Sequence, residues 1–158
     1  MKNSNSIKIV GKYTIMASLT GAFPVPASSA AIVGQNAIMV NHIGNVYGLK
    51  ITKWTLLKSI GLLGSVNMVG RNLFIEGAKL LSWGTGSVWA APALCLFGAA
   101  TAGLQTYILG MLAIEIAKQG GSVLDFTQSS EVISMAKNNY DDFVKEWKGK
   151  DFQMPSQN

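Results

Sequence analysis

The sequence predicts an all-α protein, and three observations lead to this prediction. Stretches that alternate apolar and polar residues, as strands do, are absent from the 158 residues. Prolines, glycines and capping residues divide the chain into segments of helical length. The last of these segments carries apolar residues at the three- and four-residue spacing of an amphipathic helix.

Charged residues are scarce and unevenly placed. They make up 13% of the chain, about half of the ~25% that is typical of soluble globular proteins. None occurs in residues 13–49 or in residues 80–114. Because exposed helices normally carry a charge every turn or two, we expect lipid or other subunits to surround these stretches. The apolar content of 49% excludes a disordered chain.

Basic residues are concentrated in the first half of the chain. Residues 1–79 hold eight basic side chains and one acidic one, whereas residues 80–158 hold five and seven. A basic half suits an anionic lipid surface or the cytoplasmic side of a membrane. The lysines are spread among apolar residues without interleaved aromatics, so we predict no nucleic-acid binding. Lysines also break the first apolar stretch, so no secretory signal is predicted.

The first two helices are delimited by prolines and a glycine. The first is predicted over residues 7–19 and ends before Pro24 and Pro26, which cannot continue a helix. The second is predicted over residues 30–47. The residues expected to cap the two ends of this second helix are Ser28 or Ser29 and Gly48.

Two longer helices follow. One is predicted over residues 53–81 with Thr52 as its N-cap, and the other over residues 88–118, ended by the glycine pair at 120–121. Residues 88–114 contain no charge. This run is long enough to cross a hydrocarbon core, which needs ~20 helical residues.

Small residues recur at helical spacing on the second and fourth predicted helices. Glycine inside a helix costs about 1 kcal/mol relative to alanine, so its repetition favours close approach of helix backbones, in a membrane or in a tightly packed soluble bundle. The residues expected at such contacts are Gly44, Gly48, Gly98, Ala102 and Gly103.

An uncharged polar stripe follows one face of the second helix. It consists of Gln35, Asn41, His42 and Asn45, while Asn36 lies on the opposite, apolar side. Three interpretations are open: the wet face of a soluble bundle, hydrogen bonds between membrane helices, or the lining of a water-filled pore built by several copies. No acid or nucleophile lies at helical spacing from His42, so we interpret it as a packing residue.

The sequence has no pattern typical of an enzyme or cofactor site. It shows no pair of acids, no Ser/His/Asp set and no metal-ligand cluster. One cysteine and one histidine exclude a disulfide scaffold and a His/Cys zinc site within one chain. The glycines at 61–64 and 84–86 lack the lysine and the preceding strand of a phosphate-binding loop. We predict no catalytic residue, metal or cofactor.

The C-terminal helix differs from the others in its solvent preference. It is predicted from Ser129 or Ser130 to Trp147, with charges opposite an apolar stripe. We divide the chain into an apolar helical domain, residues 1–122, and this helix with its tail, residues 123–158. The stripe packs on its own domain, on a sister copy or on another protein. Its candidate docking residues are Tyr140, Phe143 and Trp147.

Residues 20–29, which read TGAFPVPASS, and residues 46–49, which read VYGL, carry a family resemblance. The chain resembles the YcjF-type domain of unknown function, a helical module often found C-terminal to Era-like and dynamin-like GTPases in bacteria. The resemblance covers about residues 10–120. It implies membrane association and bacterial origin, and it supplies no catalytic residues. Ser28 and Ser29 stand where family members commonly carry an acid, and we expect any GTPase that works with the module to be a separate partner.

We therefore expect a bacterial inner-membrane protein whose apolar helices form Gly-rich hairpins and whose C-terminal helix lies in the cytoplasm. Its expected role is a homo-oligomer that acts as a pore or a scaffold, with copies of itself and the lipid membrane as partners. The alternative is a soluble or peripheral helical adaptor that binds a separate GTPase or another protein.

Overall fold

The computed structural model describes residues 1–21, 26–61 and 98–147. Every regular element in these ranges is an α-helix, which confirms the predicted all-α class. The predicted helical segments 62–81 and 88–97 and the tail from 148 onward lie outside the described residues. The described helices are α1 (Lys2–Gly21), α2 (Pro26–Tyr47), α3 (Lys53–Gly61), α4 (Gly98–Lys118) and α5 (Phe126–Trp147).

The core lies where α1, α2 and α4 meet. The contact between α1 and α4 is the most extensive, and α2 packs against both of these helices. α1 and α2 run antiparallel, because Tyr13 contacts His42 and Thr20 contacts Gln35. The core residues with no exposed surface include Val10, Met39, Ile43, Leu112 and Ile116.

The remaining two helices close one side of this core. α5 packs mainly on α4, and α3 makes a smaller contact with α5. Ser59 joins α3 to the start of α5: its hydroxyl accepts a hydrogen bond from the Leu124 amide at 3.0 Å, and its carbonyl accepts one from the Ser129 hydroxyl at 2.9 Å. Both bonds are buried, so they fix how α3 lies against the bundle.

Glycines end α2 and α4 as predicted. Gly48 has a φ of 74°, and the amide of the next residue, Leu49, donates to the Gly44 carbonyl at 2.9 Å. At the end of α4 the corresponding left-handed residue is Gly120, with a φ of 72°, and the amide of the next residue, Gly121, donates to the Ile116 carbonyl at 2.8 Å. A left-handed residue followed by a bond back across the last turn is the Schellman arrangement, and glycine adopts it without strain.

The predicted N-cap of α3 is confirmed, because the Thr55 amide donates to the Thr52 hydroxyl at 3.2 Å. The predicted start of α2 is wrong. This helix begins at Pro26, so Ser28 and Ser29 lie inside it. A proline fits the first helical turn, where its missing N–H has no partner to lose and its fixed φ is already helical.

The predicted start of α5 is also wrong. The Gln128 amide donates to the Asp125 carboxylate at 2.9 Å, and the Asp125 amide is bonded to the Gln128 side chain at 3.0 Å. This reciprocal pair caps the helix one turn earlier than a serine would. Ser129 is therefore not the N-cap, and its hydroxyl is used for the bond to Ser59.

Among the described helices, none combines the length and the apolar composition that crossing a bilayer requires. The charge-free run predicted to be long enough to cross a bilayer, residues 88–114, is described only from residue 98 onward. The membrane-embedded part of the predicted fold therefore gains no support from the described helices.

Candidate functional site

The outward side of α2 is exposed and carries no charge. None of the 22 residues of this helix is Asp, Glu, Lys or Arg. Ile38 on this side keeps 49% of its surface exposed, and a Cβ added to Gly34 would meet no atom within 4 Å. We call this surface the α2 outer face. Its exposed residues are Ala31, Gly34, Ile38, Asn41, His42 and Asn45.

The inward side of α2 fixes which residues point outward. Met39 and Ile43 are fully buried in the core. Asn36 is buried beside them, and its Oδ1 accepts a hydrogen bond from the Thr106 hydroxyl of α4 at 2.9 Å. Sequence reasoning placed Asn36 on the apolar side but missed its partner, because the two residues are 70 positions apart.

The predicted polar stripe divides between two environments. Asn41, His42 and Asn45 lie on the α2 outer face. Gln35 is half-buried, and its amide donates to the Thr20 hydroxyl of α1 at 3.4 Å. The Gln35 Oε1 is buried and has no hydrogen-bond partner among the described residues. Three of the four predicted residues therefore share one exposed surface, and the fourth contacts α1.

His42 is held by a tyrosine of α1. The Tyr13 hydroxyl lies 3.1 Å from His42 Nδ1, and the ring centroids are 5.9 Å apart. Burial raises the pKa of Tyr13 above its ordinary value, so the hydroxyl keeps its proton at neutral pH. It can donate that proton to Nδ1 when the histidine carries its own proton on Nε2. This bond ties the middle of α1 to α2.

The described residues bring no metal-binding set together. Within residues 1–21, 26–61 and 98–147, no three His, Cys, Asp or Glu side chains gather closely enough to hold an ion. Cys95 lies outside these ranges. The polar groups of the α2 outer face are two amides and one imidazole, which suit hydrogen bonding between surfaces.

The small residues of α4 make close contacts within the chain. Ala102 is fully buried. A Cβ on Gly103 would collide with the Ser18 hydroxyl of α1 and the Tyr140 hydroxyl of α5. Further along α4, a Cβ on Gly110 would lie 2.6 Å from Val10 Cγ2. These residues therefore bring α1 and α5 against α4, while for Gly98 only its position at the start of α4 is described.

The two predicted contact glycines of α2 have local roles. Gly44 lies beneath the chain that follows α2, where a Cβ would be 2.5 Å from the Leu49 carbonyl oxygen. A Cβ on Gly48 would meet nothing within 4 Å, so this residue makes no helix contact and acts as the C-cap. Sequence reasoning also missed Gly11, whose missing side chain makes room for the Trp147 ring, 2.7 Å from a Cβ there.

The predicted docking stripe of α5 faces its own chain. Phe143 and Trp147 are buried, and the Phe143 ring lies 4.2 Å from the Tyr107 ring of α4. Tyr140 is half-buried and hydrogen-bonds Ser18. Burial raises the pKa of Tyr140, although the bond to Ser18 partly offsets this effect. The stripe is thus occupied by α1 and α4.

Comparisons of the chain with protein-family models, with curated proteins and with solved structures find no match.

Proposed function

We propose that this chain is a membrane-associated scaffold protein that assembles with copies of itself through the α2 outer face. The observation that carries the proposal is the exposure of this face together with the absence of Asp, Glu, Lys and Arg from all 22 residues of the helix. Exposed helix faces of globular proteins normally carry charged side chains. A neutral exposed face is typical of a surface that another protein covers.

Other exposed surfaces of the bundle differ from this one. α1 exposes Lys8, and α5 exposes Asp141, Asp142 and Lys145. Because water solvates these charged side chains well, the faces that carry them can stay exposed to solvent. The contrast supports the α2 outer face, rather than α1 or α5, as the surface that is covered in the assembled protein.

A second copy of the chain is the occupant that the chemistry of this face favours. Side-chain amides both donate and accept hydrogen bonds, so Asn41 and Asn45 can pair with the same residues of another copy across a two-fold axis. Gly34 leaves room for a close helix approach. The chain carries a net charge of +5, so two copies repel each other wherever their charged surfaces meet.

The membrane part of the proposal is supported by the sequence. Residues 80–114 contain no charge, and residues 1–79 hold eight basic residues against one acidic residue. The resemblance to the YcjF-type domain implies the same association, with the bacterial inner membrane as the location. A pore requires spanning helices around a polar lumen, and we propose the scaffold form because none of the described helices is of spanning type.

A charge placed in the α2 outer face tests the assembly. Ile38 is 49% exposed and Met135 on α5 is 48% exposed, so the two positions are matched for burial. We expect wild-type protein, extracted in mild detergent, to have the mass of an oligomer. Ile38→Lys reduces it to the monomer mass, because two lysines would face each other without compensation. Met135→Lys keeps the wild-type mass.

Two outcomes contradict the proposal. If the wild-type protein is a monomer at all concentrations, the chain does not assemble with itself. If Ile38→Lys still forms an oligomer of full size, the contact between copies does not involve the α2 outer face. Fractionation of cells at low salt tests the other half: the proposed protein sediments with the membranes. Release of a monomer would instead support the alternative, a peripheral adaptor for a GTPase or another protein.

A further inference from the structure

The start of α3 exposes a tryptophan between two lysines. Trp54 keeps 71% of its surface exposed, the largest fraction of any described tryptophan. Lys50 and Lys58, four residues before and after it, are exposed as well. We call these three residues the Trp54 face. No acidic residue occurs in the chain before Glu76.

The orientation of this face is fixed by the rest of α3. Leu56 and Ile51 are buried in the core, on the other side of the segment. Ser59 makes its two buried hydrogen bonds to the start of α5. Trp54 therefore points outward because its neighbours are anchored, and its ring contributes little to the hydrophobic core.

A further lysine contacts the end of α2, just before the segment that carries Lys50. The Lys2 ammonium lies 5.9 Å from the centre of the Tyr47 ring, three residues before Lys50 along the chain. Asp125 is the acidic residue next to Leu124, whose amide bonds Ser59 of α3. Its carboxylate accepts a hydrogen bond from the Gln128 amide as the cap of α5.

We propose that Lys50, Trp54 and Lys58 form a docking site for an anionic lipid surface. The two ammonium groups would contact the phosphates of anionic headgroups, and the indole would enter the boundary between headgroups and acyl chains. A flat lipid surface fits this site better than a small ligand, because the three side chains are exposed along α3 and the segment that precedes it, and among the described residues no cavity lies between them. The inference rests on the membrane association proposed above and specifies which face and which lipids are involved.

Vesicle sedimentation measures this binding directly. Full-length protein, diluted out of detergent, is mixed with vesicles of phosphatidylcholine alone or with added phosphatidylglycerol. We expect tight binding only to the anionic vesicles, weakening as salt screens the charges. Lys50→Gln with Lys58→Gln weakens it by about 25-fold, since each lysine near an anionic surface contributes about fivefold. Trp54→Ala weakens it by about tenfold.

A charge-matched variant controls for net charge. Lys137→Gln with Lys145→Gln removes the same two charges from exposed positions on α5, and we expect a change of about twofold. Circular dichroism checks that each variant keeps the wild-type helix content. The inference is overturned if the two double variants bind alike, if neutral vesicles bind as tightly, or if a DNA duplex binds more tightly through the same lysines.

The oligomer mass separates this inference from the proposed function. We expect the variant Lys50→Gln with Lys58→Gln to remain an oligomer but to bind anionic vesicles more weakly. We expect Ile38→Lys to be a monomer that still binds anionic vesicles more tightly than neutral ones. If the wild-type protein is an oligomer that binds neutral and anionic vesicles equally, the proposed docking site is wrong but the proposed assembly stands. A lipid-binding monomer overturns the proposed assembly alone.

Discussion

The contact between α1 and α4 and the α2 outer face share a composition but differ in their use. Both contain glycines, and the residues that mark them, Gly103 and Gly110 in the contact and Gly34 and Ile38 on the face, are uncharged. In the α1–α4 contact, the position of a Cβ on Gly110 is already occupied by Val10, whereas around Gly34 on α2 it is open. The comparison teaches that an uncharged helix stripe with glycines can be either a packed contact inside the chain or an exposed surface. The atoms around each glycine show which of the two it is.

The strongest test of this comparison uses the same substitution at both glycines. Gly110→Ala places a methyl group 2.6 Å from Val10 Cγ2 in the core. We expect the free energy of unfolding to fall by about 2 kcal/mol, because the core is overpacked. Gly34→Ala is expected to raise it by about 0.5–1 kcal/mol, since alanine is the better helix former. Denaturant unfolding of both variants measures the difference.

The steric cause can be checked by relieving it. Val10→Ala combined with Gly110→Ala should recover part of the stability that the two single changes lose separately, which a double-mutant cycle measures. Strict additivity would show that the α1–α4 contact is looser than described. Equal effects of alanine at positions 34 and 110 would erase the distinction between the two regions.

A smaller effect is expected from the hydrogen bond that connects the two regions. Thr106→Val keeps the shape of the side chain but leaves the buried Asn36 Oδ1 without its donor. We expect a loss of about 1–2 kcal/mol in the free energy of unfolding. Asn41→Ala, which changes an exposed amide on the same helix, serves as the control and should change it by less than about 0.5 kcal/mol. Equal losses would contradict a buried role for Asn36.

The smallest effect concerns alkaline pH. Burial raises the pKa of Tyr13, Tyr107 and Tyr140 above its ordinary value. Such groups give their full contribution to stability below the unfolded pKa, about 10, and lose it as the pH rises through the folded value. We expect unfolding free energy to decline only above about pH 10, measured by denaturant titrations at several pH values. Tyr140→Phe should make the decline shallower. The prediction is contradicted if the tyrosines have the same pKa in the native and the unfolded protein.

Local chemistry accounts for the features that the sequence predicts well. The all-α class, the glycine ends of α2 and α4, and the Thr52 cap each depend on a few neighbouring residues. The starts of α2 and α5 are mispredicted because two local signals compete at each. Proline at the first turn prevails over the serines that follow Pro26, and the Asp125–Gln128 pair prevails over Ser129.

Helical periodicity predicts only part of the candidate site. The 100° rotation per residue groups Asn41, His42 and Asn45 on one face, and the structure exposes all three. It also groups Gln35 with them, although the neighbouring α1 half-buries that residue. Periodicity gives the direction of a side chain but not which helix lies there, so it cannot reveal pairs such as Tyr13 with His42 or Gly11 with Trp147.

The pairing of α1 with α4 has a consequence for the newborn chain. Val10 and Gly110 meet in the fold although 100 positions separate them. At a ribosomal speed of about 5–20 residues per second, the first helix waits roughly 5–20 s before its main packing partner has been made. During that interval α2 is, among the described helices, the partner already available to cover its apolar side. Shielding by a chaperone or by lipid is therefore needed around α1 before α4 has been made.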